Sequence, residues 1–192
     1  SGCMQAPAGT TYRLGTWRAA LCFAACVAAT IQASAQSFVH EFKLGALYHD
    51  MPVLWSGSQR ERTAVDINAE LILAPSIAFL GGTIRPAIGG TVNTRGETSK
   101  GYIDARWQIE GPANLFFGLG LGAAVHDGNT DIRDRGRKAL GSLLLFHIPF
   151  EAGLRLDARN AISIYYDHMS NGYTRRYNEG LDTLGVRYGY RF

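Results

Sequence analysis

The last eleven residues of the chain, DTLGVRYGYRF at positions 182–192, decide its fold class. Every second position carries an apolar or aromatic side chain: Leu184, Val186, Tyr188, Tyr190 and Phe192. The residues between them are polar, charged or glycine. Such strict alternation is typical of a β-strand with one apolar face and one polar or small face.

Seven segments upstream repeat this period of two. Their ranges are 41–50, 62–74, 83–93, 101–109, 115–126, 140–156 and 161–170. Helical periodicity is hard to find, and after residue 36 no apolar run is long enough for a membrane-spanning helix. Eight alternating segments predict an all-β protein, in which one antiparallel sheet closes into a barrel.

Three features indicate which face of this barrel is apolar. Long polar connections, at about 50–61, 93–100, 127–138 and 171–181, alternate with short ones, as in bacterial outer-membrane barrels. Charged residues of both signs lie on the face opposite the apolar one: Lys43, Glu70, Arg85, Asp104, Arg106, Arg187 and Arg191. They can pair inside a closed lumen but would be costly in a soluble core. The aromatic C-terminus with its final Phe also resembles that of outer-membrane barrels.

The sequence therefore predicts an eight-stranded antiparallel transmembrane β-barrel of the bacterial outer membrane, with apolar side chains facing lipid. A soluble lipocalin-like barrel, with its apolar faces turned inward, is the alternative fold. Eight strands enclose a lumen that side chains fill, so a diffusion pore is not expected. Function should then reside on the loops or on the outer wall.

Residues 1–35 are predicted to be an export signal, with Met4 as a plausible start after three upstream residues. Arg13 and Arg18 precede a short apolar stretch, and the sequence ASA at 33–35 offers small residues for cleavage. The apolar stretch is too short for a membrane anchor, which must cross about 30 Å of hydrocarbon. The barrel domain would span residues 36–192 and contain no cysteine, since the cysteines are at positions 3, 22 and 26.

The charge of the chain argues against a nucleic-acid partner. Its formal net charge is +3, and 19 basic residues are scattered among 16 acidic ones. Removal of Arg13 and Arg18 with the signal would leave 17 basic residues, a net charge of +1. No block of Lys and Arg is present that would bind a polyanion.

The end of the seventh segment and the start of the eighth carry the best candidate for chemistry. His168 and Ser170 share the outward parity of Ile162 and Ile164, although they are polar. Asp182 has outward parity on the strand that should pair with the seventh. A hydroxyl, an imidazole and a carboxylate would thus share one exterior patch. In an acyl-transfer triad these would be nucleophile, general base and orienting acid.

Residue spacing alone leaves alternatives to this triad open. His168 and Ser170 could simply lie in the lipid headgroup zone, where polar side chains are normal. Glu179, inside the last loop, is the rival acid, and parity gives it no direction. Asn171, the Gly172 backbone or Asn178 could supply hydrogen bonds to an oxyanion.

The closing hairpin resembles the PagL family of lipid A 3-O-deacylases. The resemblance rests on HMSN at 168–171, on NxGxD at 178–182 and on the aromatic last strand. It implies an eight-stranded outer-membrane barrel with a Ser-His-acid triad on its lipid-facing exterior and no metal or cofactor. It also implies hydrolysis of the ester-linked hydroxyacyl chain at position 3 of lipid A. The family commonly has Glu where this chain has Asp182, a difference of one methylene.

The implied substrate is lipid A within lipopolysaccharide, reached from the extracellular leaflet. Arg175 and Arg176 in the last loop could bind its phosphates, because a guanidinium makes bidentate hydrogen bonds to such anions. The remaining histidines are dispersed without metal-ligand spacing, so no metal site is expected. A homodimer is left open.

Two other functions stay open at this point. One is a non-enzymatic small barrel that serves adhesion or membrane integrity through its loops. The other is an outer-membrane phospholipase or acyltransferase.

Overall fold

The computed structural model describes residues 38–52, 55–56 and 60–192. The predicted signal, 1–35, lies outside these residues. The described part contains nine β-strands and one short 3-10 turn, Pro112–Asn114. The strands are β1 Val39–Tyr48, β2 Val65–Leu73, β3 Ile77–Phe79, β4 Gly82–Asn93, β5 Lys100–Glu110, β6 Leu115–His126, β7 Leu144–Arg155, β8 Asn160–Ser170 and β9 Leu181–Arg191.

Eight of these strands close into an antiparallel barrel, which confirms the predicted fold. Each long strand pairs with its neighbours in the chain, and β2 pairs with β4 across the short β3. The barrel closes where β1 pairs with β9, with Phe42 opposite Tyr190 and Tyr48 opposite Leu184. No helix in the described ranges is long and apolar enough to cross a membrane.

Two details differ from the expectation drawn from alternation. The connection after β2 contains a ninth, three-residue strand, β3, which pairs with the start of β4. The predicted sixth segment began at residue 140, but β7 begins at Leu144. Leu140 instead packs in a buried apolar cluster with Tyr102, Leu145 and Met169. An apolar residue that fills the end of a lumen is indistinguishable by parity from one that begins a strand.

The connections divide the barrel into two unlike ends. We call one the long-loop end, formed by the described residues 49–52, 55–56 and 60–64 and by residues 94–99, 127–143 and 171–180. We call the other the short-turn end, formed by residues 74–81, 111–114 and 156–159. Residues 94–99 are fewer than residues 74–81, which include β3, but the other three connections of the long-loop end are longer than every connection of the short-turn end. Longer connections at one end are typical of outer-membrane barrels. Every functional residue proposed from the sequence lies at the long-loop end.

The outer wall is apolar and the lumen is charged. Apolar side chains such as Leu121, Val125, Ile164 and Val186 are exposed on the outside, where a bilayer would cover them. In the lumen, Arg187 Nη1 donates to Glu70 at 3.1 Å and Arg187 Nη2 donates to Glu151 at 2.6 Å. Buried charges are tolerated when each is paired in this way.

The same lumen network continues through two more cations. Lys43 Nζ donates to the same Glu151 oxygen at 2.6 Å, and Arg106 pairs with Glu70. Glycine on β6 makes the room for these long side chains. A Cβ at Gly120 would lie 2.6 Å from Pro149 Cγ and 2.9 Å from Arg106 Cδ. The interior is therefore filled by ion-paired side chains, as eight strands require.

Candidate active site

The hairpin of β8 and β9 brings together the three residues with outward parity. In the antiparallel register His168 lies directly opposite Asp182, and Ser170 follows His168 by two residues on the same face. Directly opposed residues in a sheet have Cβ atoms about 4.5–5.5 Å apart, within reach of a side-chain hydrogen bond. The backbone pairing alone therefore places a carboxylate beside the imidazole.

The three side chains form a continuous chain of hydrogen bonds. His168 Nδ1 lies 2.6 Å from Asp182 Oδ1, and His168 Nε2 lies 2.8 Å from Ser170 Oγ. A carboxylate can only accept, so Nδ1 carries the proton and donates it to Asp182. The Ser170 hydroxyl then donates to the unprotonated Nε2. This is the tautomer in which the imidazole can take the hydroxyl proton.

The site is nearly, but not completely, closed. Asp182 is fully buried, while His168 is 6% exposed and Ser170 is 9% exposed. The gradient runs from the acid, which needs no contact with a substrate, to the hydroxyl, which would need one. Ser170, the candidate nucleophile, is thus the most exposed of the three, although all three are buried.

A loop far away in the sequence completes the surroundings of the acid. The backbone N–H groups of Trp55 and Ser56 donate to Asp182 Oδ2 at 2.9 and 3.0 Å. The Trp55 ring packs edge-on against His168, with ring centroids 5.0 Å apart. Sequence reasoning missed both residues because they lie in a long loop, where alternation gives no direction. A tryptophan in a loop at the same end as the candidate triad was the only available signal.

The predicted rival acid has a different role in the structure. Glu179 Oε2 accepts a hydrogen bond from the backbone N–H of Ala139 at 2.5 Å, which joins two long loops. Among the described residues, the carboxylate that contacts His168 is that of Asp182.

The candidate oxyanion residues divide into two groups. Asn171 has no free side-chain donor, because its NH₂ group donates to the carbonyls of Leu140 at 2.8 Å and Tyr177 at 2.5 Å. Its backbone N–H donates to Asn178 Oδ1 at 2.9 Å. Asn171 thus supports the loop. Within the described chain, the Asn178 Nδ2 group and the Gly172 backbone N–H are left as donors without a protein acceptor.

Two glycines shape the backbone around the site. Gly172 and Gly180 both have positive φ, at 61° and 62°, a region that favours glycine. A Cβ at Gly180 would also lie 3.0 Å from His168 Cε1. Glycine here allows β9 to begin close to the imidazole.

Arg175 and Arg176 are exposed in the same last loop. The Arg176 guanidinium lies over the Tyr177 ring, 5.4 Å from its centroid. No cluster of three metal-ligating side chains is found in the described ranges.

An apolar groove runs down the outer wall below the triad. Its upper part is lined by Tyr166 and Phe150, and its lower part by Ile162 and Val186, with Ile164 in both. Tyr166 and Phe150 are neighbours of Trp55, with ring centroids 6.5 and 6.0 Å from it. The upper part of the groove therefore begins at two aromatic side chains that neighbour Trp55.

Fold and site together define a class: an outer-membrane β-barrel with a hydrogen-bonded chain of Ser170, His168 and Asp182 where β8 ends and β9 begins. The family model of PagL, lipid A 3-O-deacylase, matches residues 45–191. The chain belongs to this PagL family.

Solved structures of similar fold agree with the barrel architecture. The structure described as the outer membrane enzyme PagL has a TM-score of 0.57 at 18% identity, covering 78% of this chain and 99% of that one. Neisserial surface protein A has a TM-score of 0.51 at 8% identity, covering 79% of this chain and 96% of that one. At such identities the likeness shows the fold alone. A search of curated proteins found no match.

Proposed function

We propose that this barrel is a serine esterase that hydrolyses the ester-linked 3-hydroxyacyl chain at position 3 of lipid A. One observation carries the proposal: Ser170, His168 and Asp182 form one hydrogen-bonded chain, with distances of 2.8 and 2.6 Å. Membership of the lipid A 3-O-deacylase family supplies the substrate.

The first half of the reaction forms an acyl-enzyme. Ser170 Oγ attacks the ester carbonyl carbon while its proton passes to His168 Nε2. The tetrahedral intermediate then expels the sugar oxygen at position 3, which takes that proton from His168. Lipid A leaves with a free 3-hydroxyl group, and the acyl chain stays on Ser170.

The second half reverses these roles with water. His168 removes a proton from a water molecule that attacks the acyl-Ser170 carbonyl, and the released Ser170 oxygen recovers that proton. A 3-hydroxy fatty acid departs. Throughout, Asp182 holds the imidazole in one tautomer and stabilises its charged form.

Asn178 and Gly172 would supply the hydrogen bonds to the developing oxyanion, because their donors are free among the residues that the structure describes. The carbonyl of the Asn178 side chain is fixed by the Asn171 N–H, so its NH₂ group remains to donate. Removing one oxyanion donor from a serine hydrolase costs about 10²–10³ in kcat. Neither donor has another protein acceptor in the described chain.

The place of the site on the wall suits a substrate that is anchored in a leaflet. Lipid A can slide sideways to Ser170 without leaving the bilayer, with an acyl chain in the apolar groove along Ile164. The long-loop end would face the cell exterior, since external loops are the longer ones in these barrels. Arg175 and Arg176 would then meet the phosphates of lipid A.

The test uses the refolded barrel with purified lipopolysaccharide. Mass spectrometry should show loss of one hydroxyacyl group, and Ser170→Ala should abolish it while keeping the heat-dependent gel shift of a folded barrel. Product formation by Ser170→Ala would refute the nucleophile. Supplying phospholipid alone, and looking for acyl gain as well as loss, separates this activity from that of a phospholipase or acyltransferase. A barrel with no activity on any of these would be non-enzymatic.

A further inference from the structure

We infer that Trp55 and Ser56, in the connection between β1 and β2, are part of the active site as positioning residues for the acid. This rests on the proposed function. The Trp55 and Ser56 backbone N–H groups would fix Asp182 Oδ2, so that Asp182 Oδ1 stays aimed at His168. The Trp55 ring would hold the imidazole from the side.

The contacts are specific to one carboxylate oxygen. Asp182 Oδ1 accepts from His168, while Asp182 Oδ2 accepts from Trp55 and Ser56 at 2.9 and 3.0 Å. The Met51 N–H also donates to the Asp182 backbone carbonyl at 2.8 Å. Three hydrogen bonds thus join this loop to a single residue of β9. Hydrogen bonds to a charged group are stronger than neutral ones.

The Asp182 carboxylate needs the hydrogen bonds from Trp55 and Ser56 to keep a fixed orientation. The aspartate rotamer alone does not fix the carboxylate plane, because the terminal torsion of Asp is broad. Two N–H donors on the second oxygen restrict that torsion. The imidazole is likewise held between the carboxylate and the Trp55 ring, whose centroid is 5.0 Å away.

A buried ionic cluster at the base of the loop anchors it to the barrel. His49 Nδ1 lies 2.8 Å from Asp66 and His49 Nε2 lies 2.9 Å from Glu61, and all three side chains are buried. Glu61 also accepts hydrogen bonds from the N–H groups of Thr98 and Lys138 at 3.0 and 3.1 Å. The cluster therefore ties both ends of the first loop to two other long loops.

A double-mutant cycle tests whether the loop acts through the acid. Ser56→Pro removes the N–H donor, whereas Ser56→Ala keeps it. We expect Ser56→Pro to lower kcat on lipopolysaccharide about tenfold with KM nearly unchanged, and Ser56→Ala to be several-fold more active than Ser56→Pro. In an Asp182→Asn background, Ser56→Pro should cost less than about twofold, because the charged acceptor is gone. Equal losses in both backgrounds, or no loss in either, would overturn the inference.

A second measurement does not depend on activity. It tests the inference even if the Ser56→Pro barrel fails to fold. In a barrel whose other tryptophans, Trp17 and Trp107, are replaced by Phe, fluorescence anisotropy reports Trp55 alone. Asp182→Ala should lower that anisotropy by freeing the loop, and Glu179→Ala should leave it unchanged. Equal anisotropy in both variants would refute the tether. If the wild-type barrel released no hydroxyacyl group, the proposed function would be wrong. The anisotropy would still show whether Asp182 holds the connection that carries Trp55 and Ser56.

Discussion

Two histidines at the long-loop end have nearly the same geometry and opposite surroundings. His49 and His168 each make two side-chain hydrogen bonds, one from each ring nitrogen, between 2.6 and 2.9 Å long. His49 has carboxylates on both nitrogens, Asp66 and Glu61. His168 has a carboxylate on one nitrogen and a hydroxyl on the other.

That single difference separates a structural cation from a candidate base. Burial alone would lower the pKa of His49, but the hydrogen bonds that its ring donates to two carboxylates outweigh burial and raise the pKa to about 9. His49 is thus held in the charged form and has no lone pair to accept a proton. On His168, Nε2 faces an O–H group and is free to accept its proton. The partner of the second nitrogen, more than burial, decides what a histidine can do.

Replacing each of the two histidines in turn by asparagine should give the largest difference in activity. His168→Asn should lower the rate of lipid A deacylation by about 10⁴-fold or more, since triad members act as a unit. His49→Asn should lower it by no more than about tenfold, through the looser loop. Release of hydroxyacyl chains, measured by mass spectrometry on barrels of equal gel shift, gives both numbers. Similar losses in the two variants would mean that the histidines do not differ in role.

The second largest difference is expected between variants of the two candidate acids, Asp182 and Glu179. Asp182→Ala should lower kcat by about 10³-fold or more, as removal of a triad acid does. Glu179→Ala should lower it less than about threefold, because Glu179 joins loops and does not touch His168. Asp182→Glu should recover part of the activity lost in Asp182→Ala. The reverse ranking of Asp182→Ala and Glu179→Ala would move the acid into the last loop.

Stability against pH tests the His49 side of the comparison. Because folding raises the pKa of His49, its contribution is fully present below about pH 6.5 and is lost as the pH rises through about 9. The melting temperature of the barrel, followed by circular dichroism, should fall over that interval. His49→Gln should lower stability by about 1–3 kcal/mol at pH 6 and flatten this decline. A wild-type melting temperature that stays constant from pH 6.5 to 9.5 would contradict a charged His49.

The smallest effect is expected from the exposed arginines. Replacing both Arg175 and Arg176 by Ala should raise KM for lipopolysaccharide several-fold with kcat little changed, because such contacts bind substrate and transition state alike. The effect should shrink at high salt, which screens exposed charges. Initial rates at two salt concentrations measure this. A fall in kcat with constant KM would place these arginines nearer the reacting ester.

The period of two made the barrel predictable, and it also located the three aligned side chains. Alternation assigns every strand residue to one face, so His168, Ser170 and Asp182 could be placed on the outer wall from parity alone. Antiparallel pairing of the last two segments then put them near each other. What parity cannot supply is the distance, which depends on register and rotamers.

Contacts made by the loops could not be predicted from the sequence, because parity does not apply to residues outside the strands. Trp55 and Ser56 reach Asp182 across more than 120 positions of the chain, and no periodicity constrains the path of a long loop. The side chain of Asn171 was expected near the oxyanion, yet two backbone carbonyls accept its hydrogen bonds. Polar side chains in loops satisfy whichever backbone groups are nearest, and this choice is made only in three dimensions.

The ladder between β1 and β9 joins the first strand of the barrel to its last. The connection that follows β1 donates the Trp55 and Ser56 N–H groups to Asp182 near the start of β9. In a molecule still open along this ladder, Ser170, His168 and Asp182 would lie on one hairpin, but the Asp182 carboxylate would lack these two hydrogen bonds. In the proposed esterase, an ordered active site would in this way require completion of barrel assembly. A half-built barrel, surrounded by newly delivered lipid, would be a poor catalyst until its two ends had met.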